Sequence, residues 1–279
     1  MSMQRTLVGM LLVATTWGCT TPSRSYVEPP PLAAQPPALP APARSVAEVA
    51  SRVAGHSIET RPIAYTRLGE GPCRALLLGT IHGNEAAGTP LLERLLIELP
   101  RTAAGAGVSI VVVPVVNPDG HARGSRLNAR GVDLNRNFPC ANWREHRTRH
   151  GVEPASEPET RAIIDLIDRY RPERIVSIHQ PIGCVDYDGP GRTLAEAMAS
   201  VCDLPVRKLG ARPGSLGAYA GEESGIPTIT LELPGHASRL EDGVLWDRYG
   251  PALVAAITPP PPALRAAGAD ATPTGHAAE

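Results

Sequence analysis

The chain has 279 residues, 42% of them hydrophobic, with 27 basic against 28 acidic side chains and a formal net charge of -1. That length suffices for one large domain or two small ones, and the near-neutral balance gives no electrostatic case for nucleic acid. Of the 30 prolines, eight fall within residues 1–44 and five within 259–279, a density that sets unfolded flanks around an ordinary globular middle.

Taken in chain order, residues 1–19 read as an export signal. Arg5 supplies positive charge, residues 7–13 a short apolar stretch and Gly18-Cys19 a processing site, and the run is too short for a comfortable membrane span. Small residues before a cysteine also fit a lipoprotein site, at which Cys19 would be acylated and hold the mature chain to a membrane. Thr16-Trp17 departs from the aliphatic and small pair usual there. Either route predicts an exported protein, in the periplasm or on an outer membrane facing it. Residues 20–44, rich in proline and alanine, read as an extended linker. Cys73, Cys140, Cys184 and Cys202 then remain; they allow three disulfide pairings in an oxidising compartment, or stand as buried thiols.

The folded domain is expected over 45–258. Val46, Val49 and Val53 recur at helical spacing. Residues 74–78 read as a buried strand delivering His82 and Glu85, and 89–99 as a helix stopped by Pro100. Residues 108–116 form a β-branched run typical of a strand covered on both faces. Asn117-Pro118-Asp119-Gly120 is a turn, followed by a long polar passage over 121–151 whose content favours function. Ser156 is placed to cap a helix running to about Tyr170, with Glu157 and Glu159 in capping roles. Residues 174–178 make a strand ending at His179, 193–202 a helix, 228–231 a strand ending at Glu232 and 240–257 a final helix. Residues 259–279 return to proline and alanine and read as a disordered tail. Covered strands alternating with helices predict an α/β fold: a three-layer α/β/α sandwich on a mixed, largely parallel sheet.

A buried strand whose carboxyl end carries a polar, chemically useful residue recurs through the chain: His82 and Glu85, then His179, then Glu232. In open α/β sheets the crevice beyond those ends is where sites form, so the four side chains should converge. Alone, His179 would pass for a core histidine and Glu232 for a surface glutamate. Together, two histidines and a glutamate make a catalytic set for one Zn2+ ion with a coordination position open to water, and Glu232 suits proton transfer. The polar passage adds Arg126, Arg130 and Arg136, whose forks bind carboxylates or steady an oxyanion.

His82-Gly83-Asn84-Glu85, Asn117-Pro118-Asp119-Gly120, Gly131 to Pro139, Ser177-Ile178-His179 and Thr230-Leu231-Glu232, in this order, resemble the zinc metallocarboxypeptidases of the carboxypeptidase A type. The resemblance spans about residues 56 to 257. Pro139 to Trp143, Ser156 to Thr160, His179 to Cys184 and Pro213 to Gly217 look most like the bacterial murein peptide amidase A branch, which cleaves the γ-D-glutamyl to meso-diaminopimelate bond of cell-wall peptides. It implies zinc on His82, Glu85 and His179, Glu232 as the base that promotes attack by water, Arg126 polarising the scissile carbonyl, and Asn135 with Arg136 holding the substrate's terminal carboxylate. Arg130 is a neighbouring candidate for the role of Arg126. The tyrosine that closes over substrate in digestive enzymes has no clear counterpart; Tyr219 is the alternative to none.

The expected substrate is thus a murein peptide containing meso-diaminopimelate, and Asp186, Asp188 and Arg212, in expected rim loops, are candidate partners for its second polar head. Other readings are a carboxypeptidase for ordinary peptide carboxyl termini, an aspartoacylase-like deacylase, and an inert wall-binding module. No protein partner is inferred.

Overall fold

The parallel strands at the centre of the molecule are built mostly of buried apolar residues. The computed structural model describes residues 51–99, 107–146 and 149–258. The expected export signal with Cys19, the linker, the tail, Val46 and Val49 lie outside the described residues. Eight strands form one mixed sheet: β1 (Ser51–His56), β2 (Pro62–Leu68), β3 (Cys73–Leu78), β4 (Ser109–Val113), β5 (Ile175–His179), β6 (Ile182–Asp188), β7 (Val206–Arg207) and β8 (Thr228–Pro234). Their spatial order is β1-β2-β4-β3-β5-β8-β6-β7. The central four, β4, β3, β5 and β8, are mutually parallel. At the flanks, β1, β2 and β4 run antiparallel in turn, and β6 is antiparallel to β8.

The two-residue period of a strand divides these side chains between two layers. Leu77, Val112, Val176, Ile178 and Leu231 face one core, with α1 (Gly88–Glu98), α4 (Arg192–Ala199) and α5 (Asp242–Ile257). Leu76, Leu78, Val111, Val113 and Ile175 face the other, with α3 (Pro158–Tyr170) and with Leu134, Phe138 and Leu216 from loops. The result is the expected α/β/α sandwich.

Three expectations are corrected. The helical spacing at Val53 gives way to strand β1, because β2 offers its antiparallel edge and Val53 pairs with Ala64. Ser156 does not cap α3: the cap position is Glu157, without a side-chain cap bond, and Pro158 fills the first turn. Glu157 and Glu159 are instead buried, both accepting hydrogen bonds from Asn128 Nδ2, at 2.8 and 3.2 Å. Asp186 and Asp188 occupy strand β6, buried, rather than rim loops.

The carboxyl ends of the four central strands point the same way, and the elements beyond them are clamped together. After β4, Asn117 accepts from the Gly120 amide at 2.9 Å and so caps α2 (Pro118–Arg123), while its own backbone amide donates to the Thr80 carbonyl. Gly83, between the two expected ligands, lies against this helix: a Cβ there would sit 2.0 Å from the Gly120 carbonyl carbon and 2.3 Å from the His121 nitrogen. Gly83→Ala is therefore expected to cost about 2 kcal/mol or more through overpacking of backbone on backbone. A urea midpoint equal to that of the parent chain would contradict this contact.

Candidate metal centre

Strand β3 ends at Leu78, and the chain then carries His82 and Glu85 across the top of the sheet. His179 is the last residue of β5, and its register partner on β8 is Glu232. Parallel register partners share a face, so His179 and Glu232 stand side by side.

His82, Glu85 and His179 are buried, at 2, 6 and 3% exposure. Their donor atoms all lie within 4.8 Å of one another, and this is the one grouping of its kind among the described residues. His82 Nδ1 is 2.9 Å from Glu85 Oε1, His179 Nδ1 is 2.9 Å from Glu85 Oε2, and the two Nδ1 atoms are 3.1 Å apart. Tetrahedral zinc, with ligands at about 2.1 Å, separates its donor atoms by about 3.4 Å. Three such atoms, drawn together to hydrogen-bond distance, fit a small cation after a slight opening.

The outward nitrogens are also held. His82 Nε2 bonds Asp133 Oδ1 at 3.0 Å, and His179 Nε2 bonds Ser177 Oγ at 3.0 Å. Bonds of this kind fix the tautomer and direct the Nδ1 lone pairs inward. Arg126 bridges the two shells, Nη1 to Glu85 at 2.7 Å and Nε to Asp133 at 3.1 Å. Neither Asp133 nor Ser177 is singled out by its residue type. Asp133 has a signal only in its place inside the Gly131 to Pro139 motif, and Ser177 only in lying two residues before His179 on one strand face.

The charges reinforce one another. Burial pushes the Glu85 carboxyl up, but hydrogen bonds from His179 and His82 overcome it and hold the group well below the carboxylate range. Asp133 is likewise held low, against its burial, by His82 and the nearby Arg126 and Arg136. Burial disfavours the His82 imidazolium, yet Asp133 and Glu85 raise its pKa above the ordinary value. Glu232 behaves oppositely: burial, with the Glu85 charge added, raises its pKa, opposed by His179, the Ile182 amide at 3.4 Å and His82.

Asn135 and Arg136 lie in a short 3-10 turn, Leu134–Arg136, begun by Asp133. Asn135 Oδ1 accepts from the Leu216 amide at 2.9 Å, which leaves its NH2 as the free end. Arg136 is half-buried; burial lowers its pKa, Asp133 opposes this, and Arg126 and Arg212 add to it, so three guanidiniums share one region. Arg130 is 3.7 Å from Glu157 and well exposed, paired away from the ligands. Tyr219 stacks on Phe138 at 5.8 Å and packs, partly buried, against the α3 core. The four described cysteines are free and buried, and burial pushes Cys73, Cys184 and Cys202 up to about 11.

An α/β sandwich with a buried His, Glu, His cluster and a carboxylate beside it defines a metallopeptidase. The chain belongs to the zinc carboxypeptidase family, whose sequence profile matches residues 43–183. It is 38% identical over 176 residues to murein peptide amidase A of Escherichia coli K12, covering 57% of this chain and 70% of that one. The corresponding protein of Vibrio campbellii is 34% identical over 198 residues, 64% of this chain and 77% of its own length. The crystal structure of murein-tripeptide amidase from Escherichia coli O157 superposes with a TM-score of 0.62 at 29% identity, covering 76% of this chain and 93% of that chain.

Two outcomes are expected. Asp133→Asn, which keeps the shape but removes the charge behind His82, should weaken zinc affinity about 10- to 100-fold in a chelator competition. Because the raised pKa of His82 means that a proton competes for Nδ1, zinc affinity should climb as pH rises through the neutral range until His82 is deprotonated. Flat affinity between pH 6 and pH 8 would contradict it.

Proposed function

We propose that this chain is an exported zinc metallopeptidase that hydrolyses the γ-D-glutamyl to meso-diaminopimelate bond of murein peptides. The observation that carries the reading is the register pairing of Glu232 with His179, which sets a carboxylate of raised pKa at the edge of the ligand cluster. The likeness to murein peptide amidases over 70% and more of their length supports the substrate.

His82, Glu85 and His179 hold one zinc ion. When bound, zinc supplies a Lewis acid that acidifies a water and polarises a carbonyl. Glu232 takes the proton of the attacking water on a carboxylate oxygen and returns it to the departing amine, a transfer favoured by a pKa lifted toward the working pH. Arg126, already turned to the ligands at 2.7 Å from Glu85, directs its remaining donors at the carbonyl oxygen. Asn135 and Arg136 bind the carboxylate of the leaving residue, the guanidinium by two parallel hydrogen bonds. With Arg212 nearby, the site suits a substrate bearing several carboxylates, as a murein peptide does.

Residues 45–258 form the peptidase domain, residues 1–19 direct export, and 20–44 tether the domain to the processed amino terminus. The mature chain works in the periplasm, free or held to the outer membrane by an acylated Cys19.

The test is the zinc-loaded chain given L-alanyl-γ-D-glutamyl-meso-diaminopimelate beside a blocked ordinary dipeptide. Release of diaminopimelate from the first alone is expected. Cleavage of the second alone would assign ordinary peptide termini, and cleavage of neither would assign an inert module. Glu232→Gln should lower kcat about 10²- to 10⁴-fold with zinc still bound, and undiminished hydrolysis would refute its role.

A further inference from the structure

The metal centre uses the carboxyl ends of the central strands, and the far end of the sheet carries a cluster of a different kind. Strand β2 runs antiparallel to β4, so Arg67 and Leu68 pair with Val111 and Ile110 near the amino end of β4. Ser51 and Arg52, which open β1, pair with Thr66 and Tyr65 beside them. Helix α3 delivers Arg169 and Tyr170, then Arg171 as its cap, to the same corner, shortly before β5 begins at Ile175.

Two tyrosines hold this corner together. Their hydroxyls, on Tyr65 and Tyr170, are 2.9 Å apart, and the Arg67 guanidinium lies over the Tyr170 ring at 5.5 Å. The guanidiniums of Arg52 and Arg169 both reach the Tyr65 hydroxyl. Arg52, Arg169 and Arg171 are exposed. Acids do not balance this charge. Glu70 is 3.8 Å from Arg67 with its side chain 95% exposed, Glu173 pairs with Arg174 at 3.6 Å, and the charge of Asp168 is felt at Tyr219. The carbonyl end of α3 accounts for Arg169 and Arg171, since a helix favours cations there. It does not account for Arg52 and Arg67, which the sheet brings to the same place.

We propose that this corner docks the domain on the phosphate headgroups of an anionic bilayer, with the metal centre turned away from it. An edge strand and a helix end present three exposed guanidiniums together, the arrangement that a plane of negative charge meets. Chain entry selects the partner: the fifty residues before Ser51, among them the linker and Cys19, join the domain next to Arg52. A chain held to a membrane through that segment presents this corner to it. The inference rests on the export and tethering proposed above, and not on the substrate.

In the experiment the full chain, carrying Cys19→Ala so that no lipid is attached, is sedimented with vesicles of phosphatidylcholine alone or with roughly one third phosphatidylglycerol. Residues 1–19 are present throughout, so any apolar binding of theirs sets the phosphatidylcholine background. Each arginine near an anionic surface strengthens binding about fivefold. The chain should therefore bind the anionic vesicles about 100-fold more tightly than the neutral ones at low salt, and lose most of that gain at about 1 M salt. Arg52→Gln, Arg169→Gln and Arg171→Gln together should remove about 100-fold of the anionic binding at an unchanged melting temperature, and lysine at all three positions should keep it. Arg123→Gln, Arg144→Gln and Arg239→Gln, exposed on segments beyond the carboxyl ends, remove the same charge and should cost less than about threefold. Equal losses in the two glutamine sets, a first set that binds like the parent, or a parent chain that takes up inorganic phosphate yet ignores anionic vesicles would overturn the proposal. Should the first set melt lower, Arg171→Glu alone should still weaken anionic binding at least about fivefold, and no change there would overturn it as well. The mass of the exported parent chain tests the anchor separately: an unacylated Cys19 refutes the lipid tether while the vesicle result stands.

Discussion

A carboxylate 6% exposed at the top of a sheet is tolerated only if positive or donating groups surround it, and Glu85 is met from four sides. Both histidine Nδ1 atoms lie 2.9 Å from its oxygens, Arg126 is at 2.7 Å, and the Gln180 amide is at 3.2 Å. Those partners come from three separate parts of the chain. The loop after β3, the end of β5 and the long polar passage must all be in place before this one charge is satisfied. Asp133 and Glu85 raise the pKa of His82, so a cation bound at Nδ1 would displace a proton from that imidazole.

The polar passage explains how such a site can be both buried and exact in aim. Asp133 serves His82, Arg126 and the Asn135 amide at once, so a single carboxylate orients a ligand, steadies an arginine and starts the turn that carries Asn135 and Arg136. The passage in turn is fastened to the body by Asn128 on Glu157 and Glu159, and by Phe138 and Leu134 in the α3 core. Catalytic aim is thereby borrowed from packing rather than from the flexibility usual in a segment of this length.

What could be read from residues alone followed from local pattern. An apolar run that ends in histidine or glutamate is visible in one dimension, and it located His82, Glu85, His179 and Glu232 because all four lie at or just beyond the carboxyl ends of central strands. Strand β6 was not visible, since Cys184-Val185-Asp186-Tyr187-Asp188 alternates small or charged residues with large ones, and charge reads as loop until the covering segment over 209–221 is known. Val53 shows the converse: helical spacing was overridden by an antiparallel partner, Ala64, eleven residues downstream. The service of Glu157 and Glu159 to Asn128 joins residues about thirty apart, beyond the reach of any capping pattern.

The central claim is that two imidazole nitrogens and the Glu85 carboxylate together grip one zinc ion. X-ray absorption at the zinc edge of the purified chain tests it without reference to substrate. The account predicts one zinc per chain, with a shell of nitrogen and oxygen only at about 2.0–2.2 Å and the multiple-scattering signature of two imidazoles. Sulfur in the shell at about 2.3 Å, or a signal lacking imidazole, would contradict it.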